Sequence, residues 1–410
     1  MTCYDEYAGE YDSWFLANEN LLKSEARLVA QMLREGGDIL SIGCGSGLFE
    51  KIMADDFGIT VREGVEPSEG MAAIARKRGM SVAIASAGDF TASREYDTVL
   101  MNGCPSYIDD LDGAFANVAR ALKPGGRLVV ADVPKESAYA LVYNLAMTLG
   151  TWEHPLLEGA KPKDPYPIEF VKSANWRTTA EKVDALRRAG FIGFEFCQTL
   201  TMNPASSDDY AEDPVPGCDK GSYVAIAARR APTFLQRLKD GTLDEESFRF
   251  YVCQDAFYLG RHAETLRILA DKLEDPAEKK LFREYAEGGV AAEKAMQRDF
   301  LGGEKFEDTG WGADVLEFVK ANPATLGVAA VAPCFSVYAD AGRYLAGTVG
   351  KYSRWVAAYA AESFAAEAGK VACVLREHAA AHPEFASQIA DAVRRGIDAE
   401  IACWNESLKG

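Results

Sequence analysis

The chain has 410 residues, too many for one ordinary hydrophobic core, so two domains are expected. Apolar residues make up 48% and charged residues 26%, the balance of a soluble globular protein, and no apolar run is expected to approach the roughly 20 residues that span a bilayer. A formal net charge of −18 argues against nucleic acid or anionic membrane as partners, because both recruit a basic face, and leaves small molecules as the expected ones.

The N-terminal stretch MTCYDEYAGEYD is acidic and polar, unlike a secretory signal, which implies a cytoplasmic protein. From there to about residue 230, strand-like apolar runs alternate with helical patterns. DILSIG (38–43), VREGVE (61–66), SVAIAS (81–86), DTVLMN (97–102), RLVVADV (127–133) and SYVAIAA (222–228) read as strands, and GLFEKIMADD and EGMAAIARKRG between them as helices. That alternation is the pattern of a doubly wound α/β sheet. After Arg229-Arg230-Ala231-Pro232 the strand signals stop. Long amphipathic helices follow from Phe234, punctuated by Gly or Pro at 302, 303, 323, 333 and 383, so residues 232–410 are expected to form an all-helical bundle behind a first domain of residues 1–230.

Nine cysteines lie scattered with no CxxC pair, which suggests buried, reduced thiols and neither a zinc ribbon nor a disulfide framework. Only four histidines (154, 262, 378, 382) are available to a metal site.

In DILSIGCGSGLFE an apolar strand runs into Gly43, Gly45 and Gly47 and then a helix. Glycines there let the backbone turn sharply and approach a ligand, and the helix N-terminus offers free N–H groups. About 20 residues on, a second strand ends at Glu66, whose carboxylate can accept both hydroxyls of a ribose. The GxGxG spacing followed by GVEPSEGM resembles class I S-adenosylmethionine-dependent methyltransferases over nearly all of residues 5–230. The resemblance implies S-adenosyl-L-methionine as cofactor, with Gly88 and Asp89 near the adenine, Asn102 and Gly103 at the methionine end, and Tyr11 closing over the site. ALKPGGRLVVADV resembles the family's helix, turn and fifth strand. MNGCP stands where amide and adenine N-methyltransferases carry an Asn/Asp-Pro-Pro-aromatic motif, which disfavours those substrates. The insert 135–177, with Tyr139, Tyr143, Trp152, His154, Tyr166 and Trp176, is the expected acceptor lid; His154 is either a general base or a solvent-facing loop residue.

In the helical half, Asp255 and Tyr258 share a helix face, as do Cys334 and Tyr338, and Glu400 and Trp404. Taken alone, Cys334 is a nucleophile, a metal ligand or a small buried residue. Pro333 stands where a helix is expected to begin, which would set the Cys334 thiolate in the favourable field of a helix N-terminus. DGT-L with FxYVxQDxxYL, and PCFSVYADAG, resemble thiaminase II, the aminopyrimidine aminohydrolases of the TenA superfamily with a heme-oxygenase-like bundle, over residues 232–405. The resemblance implies that Cys334 is the nucleophile that adds to the ring and Tyr338 orients it. Asp255 holds the pyrimidine amino group, Tyr258 supports the site, Tyr359 packs on or bonds to the substrate, and Glu400 protonates a ring nitrogen. It also implies self-association through this half.

Two departures stand out: Trp311 where a pocket tyrosine is usual, and Met296 in place of a common histidine. The reading is therefore a bifunctional methyltransferase and thiaminase-II-like hydrolase. Two alternatives stay open for the helical half: a non-heme iron oxidase using Asp255, His262 and Glu293, or an inactive pyrimidine-binding module.

Overall fold

The structure, a computed structural model, describes residues 4–34, 36–300 and 307–408, with side chains described for 11–34, 36–288, 291 and 307–408. Gly302 and Gly303, and the side chains of Glu293 and Met296, therefore fall outside it. The chain divides into two compact units, Met1–Arg230 and Ala231–Gly410.

The first unit opens with helices α1 (Tyr4–Ala17) and α2 (Glu19–Met32). It then alternates β1 (Ile39–Ile42), α3 (Leu48–Phe57), β2 (Glu63–Val65), α4 (Glu69–Lys77), β3 (Ser81–Ala83), β4 (Tyr96–Asn102), α5 (Leu111–Ala121) and β5 (Leu122–Asp132). After α6 (Ala138–Leu149), α7 (Ile168–Lys172) and α8 (Thr179–Arg188) come β6 (Phe191–Thr199), β7 (Val215–Pro216) and β8 (Tyr223–Arg230). The sheet order is β3-β2-β1-β4-β5-β8-β6-β7. The five strands β3 to β5 are parallel, while β8, β6 and β7 are each antiparallel to their neighbours. β6 and β7 were not expected from the sequence. Both sheet faces are covered by apolar clusters, one around Leu28, Val29 and Leu100 and one around Val99, Phe115 and Leu128. Strand order reverses between β1 and β4, the place where a doubly wound sheet leaves a crevice at its carboxyl edge.

The second unit is all helical: α9 (Thr233–Lys239), α10 (Glu245–Lys272), α11 (Pro276–Phe300), α12 (Ala313–Ala321), α13 (Ala324–Leu345), α14 (Ser353–Tyr359), α15 (Glu362–Ala381) and α16 (Ala386–Glu406). α13 is its centre, packed on by α9, α10, α12, α14, α15 and α16. Two sequence expectations are corrected here. α13 is 22 residues long and apolar enough to cross a bilayer by length and composition, yet 83% of its apolar window is buried within the protein. Pro333 does not begin a helix; α13 starts after Pro323 and runs through Pro333, so Cys334 sits mid-helix. The field of a helix N-terminus fades within the first turn, so it does not act on this thiol.

A proline inside a helix removes a backbone donor and brings a bulky ring. Gly396 of α16 makes room for it, since a Cβ there would lie 2.5 Å from Pro333 Cγ.

Candidate active sites

In the first unit a cavity of about 790 Å³ opens at the carboxyl ends of β1 and β4, within the range of about 300–1,000 Å³ typical of small-molecule sites. Gly45, at φ 55°, lines it, and no heavy atom lies within 4 Å of where its Cβ would project, so the backbone is bare to the cavity. Gly43 lines it too, packed so tightly under Cys104 that a Cβ would lie 2.6 Å from that residue's own. Gly47 does not line the cavity. It caps the N-terminus of α3 at φ 73°, and its missing Cβ makes room for Met80 Sδ, 2.8 Å away, so its role is packing.

Glu66 is buried at the end of β2. Its Oε2 accepts the Gly45 N–H at 2.9 Å and its Oε1 the Ser68 N–H at 2.9 Å. Each carboxylate oxygen can accept more than one hydrogen bond, so this anchored group can still receive a diol. Gly88 and Asp89 line the same cavity, with Asp89 Oδ2 accepting from Ser86 Oγ at 2.6 Å. So do Asn102 and Gly103; the Tyr223 hydroxyl donates to Asn102 Oδ1 at 2.8 Å and orients that amide. Tyr11 is on the wall, its ring edge-on to Phe15 at 5.1 Å. A glycine cradle, an anchored acid and a polar far end thus fit a nucleoside carrying an amino-acid tail.

The insert supplies the facing wall. Tyr139, Tyr143, Tyr166 and Trp176 line the cavity, and Trp152 supports them edge-on to Tyr143 at 5.2 Å. His154 does not line it. The Nδ1 of His154 accepts the Leu156 N–H at 3.2 Å and caps a short turn, which corrects its candidacy as a general base.

Sequence reasoning missed two acids on this wall. Asp132, at the end of β5, forms a buried ion pair with Lys182 at 2.7 Å and accepts from Ser106 Oγ and the Val133 N–H. Glu25, on α2, is 6% exposed; burial, and then the Asp132 charge, push its carboxyl up to about 8. The signal was present in LLKSEARLV, where Glu25 lies three and four residues from Leu22 and Leu21 on the buried face.

In the second unit a small cavity of about 140 Å³ is lined by Asp255, Tyr258 and His262 of α10, Cys334 and Tyr338 of α13, and Tyr359 of α14, among others. Five of the six residues assigned from sequence are thus brought together. The sixth, Glu400, does not line the cavity. It lies behind Tyr258, whose hydroxyl donates to Glu400 Oε1 at 3.0 Å. The expected direct contact of Glu400 with a ring is therefore corrected: Tyr258 stands between Glu400 and the cavity.

Burial, followed by the charge of Asp255, pushes the Glu400 carboxyl up to about 8. Burial also drives the Tyr258 hydroxyl well above its ordinary value. The wall is braced by a hydrogen bond of 3.0 Å between the hydroxyls of Tyr251 and Tyr338, and by Tyr338 against Tyr359 with ring centres 4.9 Å apart.

His262 is buried and lines this cavity, its Nδ1 3.5 Å from the Tyr258 hydroxyl, and burial lowers it to about 4. Trp311 is not on the wall; its indole reaches Glu406 at 3.4 Å and its carbonyl accepts from Arg261. Among the described residues no cluster of three or more His, Cys, Asp or Glu is placed to hold a metal ion.

Comparison with known proteins identifies both units. A methyltransferase-domain family model matches residues 17–180, and the model of the TENA/THI-4/PQQC family matches residues 232–301. The chain is 30% identical over 231 residues to the uncharacterized protein MJ1123 of Methanocaldococcus jannaschii, covering 56% of the chain and all of that protein. It is also 30% identical to a solved Thermotoga maritima protein described as an S-adenosylmethionine-dependent methyltransferase and possible histamine N-methyltransferase, covering 55% of this chain and 98% of that one with a TM-score of 0.47. Over 184 residues, 43% of its length, the chain is 29% identical to the thiamine biosynthesis multifunctional protein ThiED of Corynebacterium glutamicum, of which it spans only 24%.

The first unit therefore carries a methyltransferase domain, and S-adenosylmethionine is its methyl donor. The second unit carries a TENA/THI-4 domain over residues 232–301, so the protein is an enzyme with methyltransferase activity that joins a methyltransferase domain to a TenA-like one.

Proposed function

We propose that the protein is bifunctional, methylating a small metabolite in its first unit and hydrolysing an aminopyrimidine in its second. The observation that carries the hydrolase reading is the hydroxyl of Tyr258, which donates to Glu400 and shares with Cys334 the wall of a cavity of single-ring size. An aminopyrimidine resists attack until its ring accepts a proton, and a thiol that adds to the ring lets the amine of a side-chain aminomethyl group leave before water replaces it. Cys334 faces the cavity as the nucleophile. Tyr258 passes a proton between it and Glu400, Asp255 meets the amino group, and Tyr338 and Tyr359 pack on the ring.

In the first unit Gly43, Gly45, Glu66, Gly88, Asp89, Asn102 and Gly103 would hold the donor, with Tyr11 against it. The donor supplies an activated methyl group, and the protein's work is alignment of an acceptor in line with it. The likeness to ThiED supports a substrate among thiamine fragments, and the fusion supports consecutive steps on one heterocycle. All eight described cysteines are free, which suits a thiol enzyme working in the reducing cytoplasm, and the helical unit is where copies of the chain would associate.

The test is ammonia release from 4-amino-5-aminomethyl-2-methylpyrimidine by the full chain. Release that disappears in Cys334→Ser supports the reading; equal release by both proteins overturns Cys334 as nucleophile.

A further inference from the structure

Six carboxyl groups line the first-unit cavity, and no lysine, arginine or histidine does so among the described residues. A low-dielectric cleft lined by one sign of charge repels ligands of that sign and concentrates the other. Anionic methyl acceptors are disfavoured on that ground.

Five of the six carboxyls are held by the protein. Glu66 takes two backbone N–H groups, Asp89 takes Ser86 Oγ, and Asp109 takes Asn175 Nδ2 at 2.9 Å. Asp110 caps α5 through the Gly113 N–H, and Asp132 is paired with Lys182. Glu25 differs: it is 6% exposed, lines the cavity, and has no hydrogen bond or ion pair among the described residues. A buried carboxyl left without a partner costs stability unless a ligand uses it. Around it stand Tyr11, Tyr139, Tyr143 and Tyr223, close enough for their ionisation to be disfavoured by its charge. Aromatic walls beside a single acid are the surroundings in which a cationic or basic nitrogen is favoured.

We propose that the methyl acceptor is a small amine or basic nitrogen heterocycle, and that Glu25 holds its nitrogen and takes its proton. The inference rests on the methyltransferase reading of this cavity. At neutral pH the resting Glu25 carboxyl holds a proton, which leaves to solvent as an ammonium ligand binds. One N–H bond of the ligand then breaks as the Glu25 O–H bond forms, and the nitrogen keeps the electron pair it needs to accept a methyl group. Besides Glu66, Asp89, Asp109, Asp110, Tyr107 and Tyr166 on the cavity wall, the titratable groups facing this space are Asp132 with its Lys182 partner, the four tyrosines and Cys104. Burial raises each of those four tyrosines and Cys104 above its ordinary value, so none of them ionises at neutral pH.

The experiment is calorimetry on the full chain with S-adenosylhomocysteine present, titrating primary amines and imidazoles, each paired with the alcohol of the same skeleton, in two buffers of different ionisation enthalpy. The expected result is at least tenfold preference for an amine over its alcohol, with about one proton released per amine bound at pH 7. In Glu25→Gln that preference and proton release disappear while S-adenosylhomocysteine binds as before. Amines bound no better than their alcohols, or an unchanged preference in Glu25→Gln, overturns the assignment and leaves the methyltransferase reading standing. Failure of S-adenosylhomocysteine to bind the unaltered protein removes that reading and the inference with it.

Discussion

Tyr258 on α10 donates its hydroxyl to Glu400 on α16 across 3.0 Å and stands beside Cys334 of α13 on the cavity wall, so one buried oxygen ties α10 to α16 next to the thiol. The Tyr258→Phe substitution removes the bond to Glu400 and keeps the ring. Aminopyrimidine hydrolysis is expected to fall at least tenfold with little change in KM, and the Glu400 carboxyl, losing the bond that holds it down, should rise above about 8. The alkaline limb of the pH–rate profile would move up accordingly; an unmoved limb and rate would remove Tyr258 from the proton path.

Two buried groups of the same unit give its stability opposite slopes with pH. Glu400 goes from an ordinary 4.5 to about 8 on folding, so between those values the folded chain holds a proton the unfolded chain has lost, and stability falls as pH rises through that window. His262 goes from 6.5 to about 4, so there the unfolded chain holds the extra proton and stability falls as pH drops through that window. The two oppose each other in mildly acid solution, leaving Glu400 alone above it. Glu400→Gln should flatten unfolding free energy between pH 6.5 and 8, by about 1 kcal/mol per pH unit, as read from urea denaturation. An unaltered slope would show that Glu400 titrates normally.

Gly45 and Gly47 separate binding from packing. A methyl at Gly45 meets no heavy atom within 4 Å, so Gly45→Ala should cost only the backbone strain of φ 55°, about 1–2 kcal/mol, while weakening S-adenosylhomocysteine binding tenfold or more. A methyl at Gly47 lies 2.8 Å from Met80 Sδ, so Gly47→Ala should lower Tm further and leave affinity of the surviving folded protein nearly unchanged. Isothermal titration and thermal melts on the same pair decide it, and the reverse pattern would move the cofactor cradle away from Gly45.

Pro333 and Gly396 should behave as one unit. Gly396→Ala puts a Cβ 2.5 Å from Pro333 Cγ and is expected to cost about 1–3 kcal/mol. Adding Pro333→Ala removes the obstructing ring, so the double variant should recover at least about 1 kcal/mol of that loss in a denaturation cycle. Simple additivity of the two changes would place them out of contact.

The cofactor cradle was legible because its chemistry is local: Gly43, Gly45 and Glu66 follow strands whose apolar runs mark their own ends. Cys334 with Tyr338, and Asp255 with Tyr258, were legible because helical spacing alone puts each pair on one face. What escaped depended on distant neighbours. Pro333 reads as a helix start until Gly396, far along the chain, supplies room for its ring. His154 reads as a possible base until a turn claims its Nδ1. Glu25 sits three and four residues from two leucines in an ordinary amphipathic helix, and only the assembled cavity shows that its buried face looks onto open space. β6 was hidden because FIGFEFCQT carries Gly193 and three polar residues, Glu195, Gln198 and Thr199, in a strand flanked on both sides in the sheet.

Gly342 of α13 gives the second-unit cavity a property beyond its shape. A Cβ there would lie 2.1 Å from the Tyr359 carbonyl oxygen, so the backbone of α14 rests directly on α13. The ring of Tyr359 is thereby gauged from the same helix that carries Cys334 and Tyr338, with no flexible side chain between them to take up slack. A wall indexed by main chain against main chain selects ligands as a rigid template does. In a cavity of about 140 Å³, molecules larger than one small ring would be turned away by size, and the rest of the wall is supplied by α10, α11 and α15.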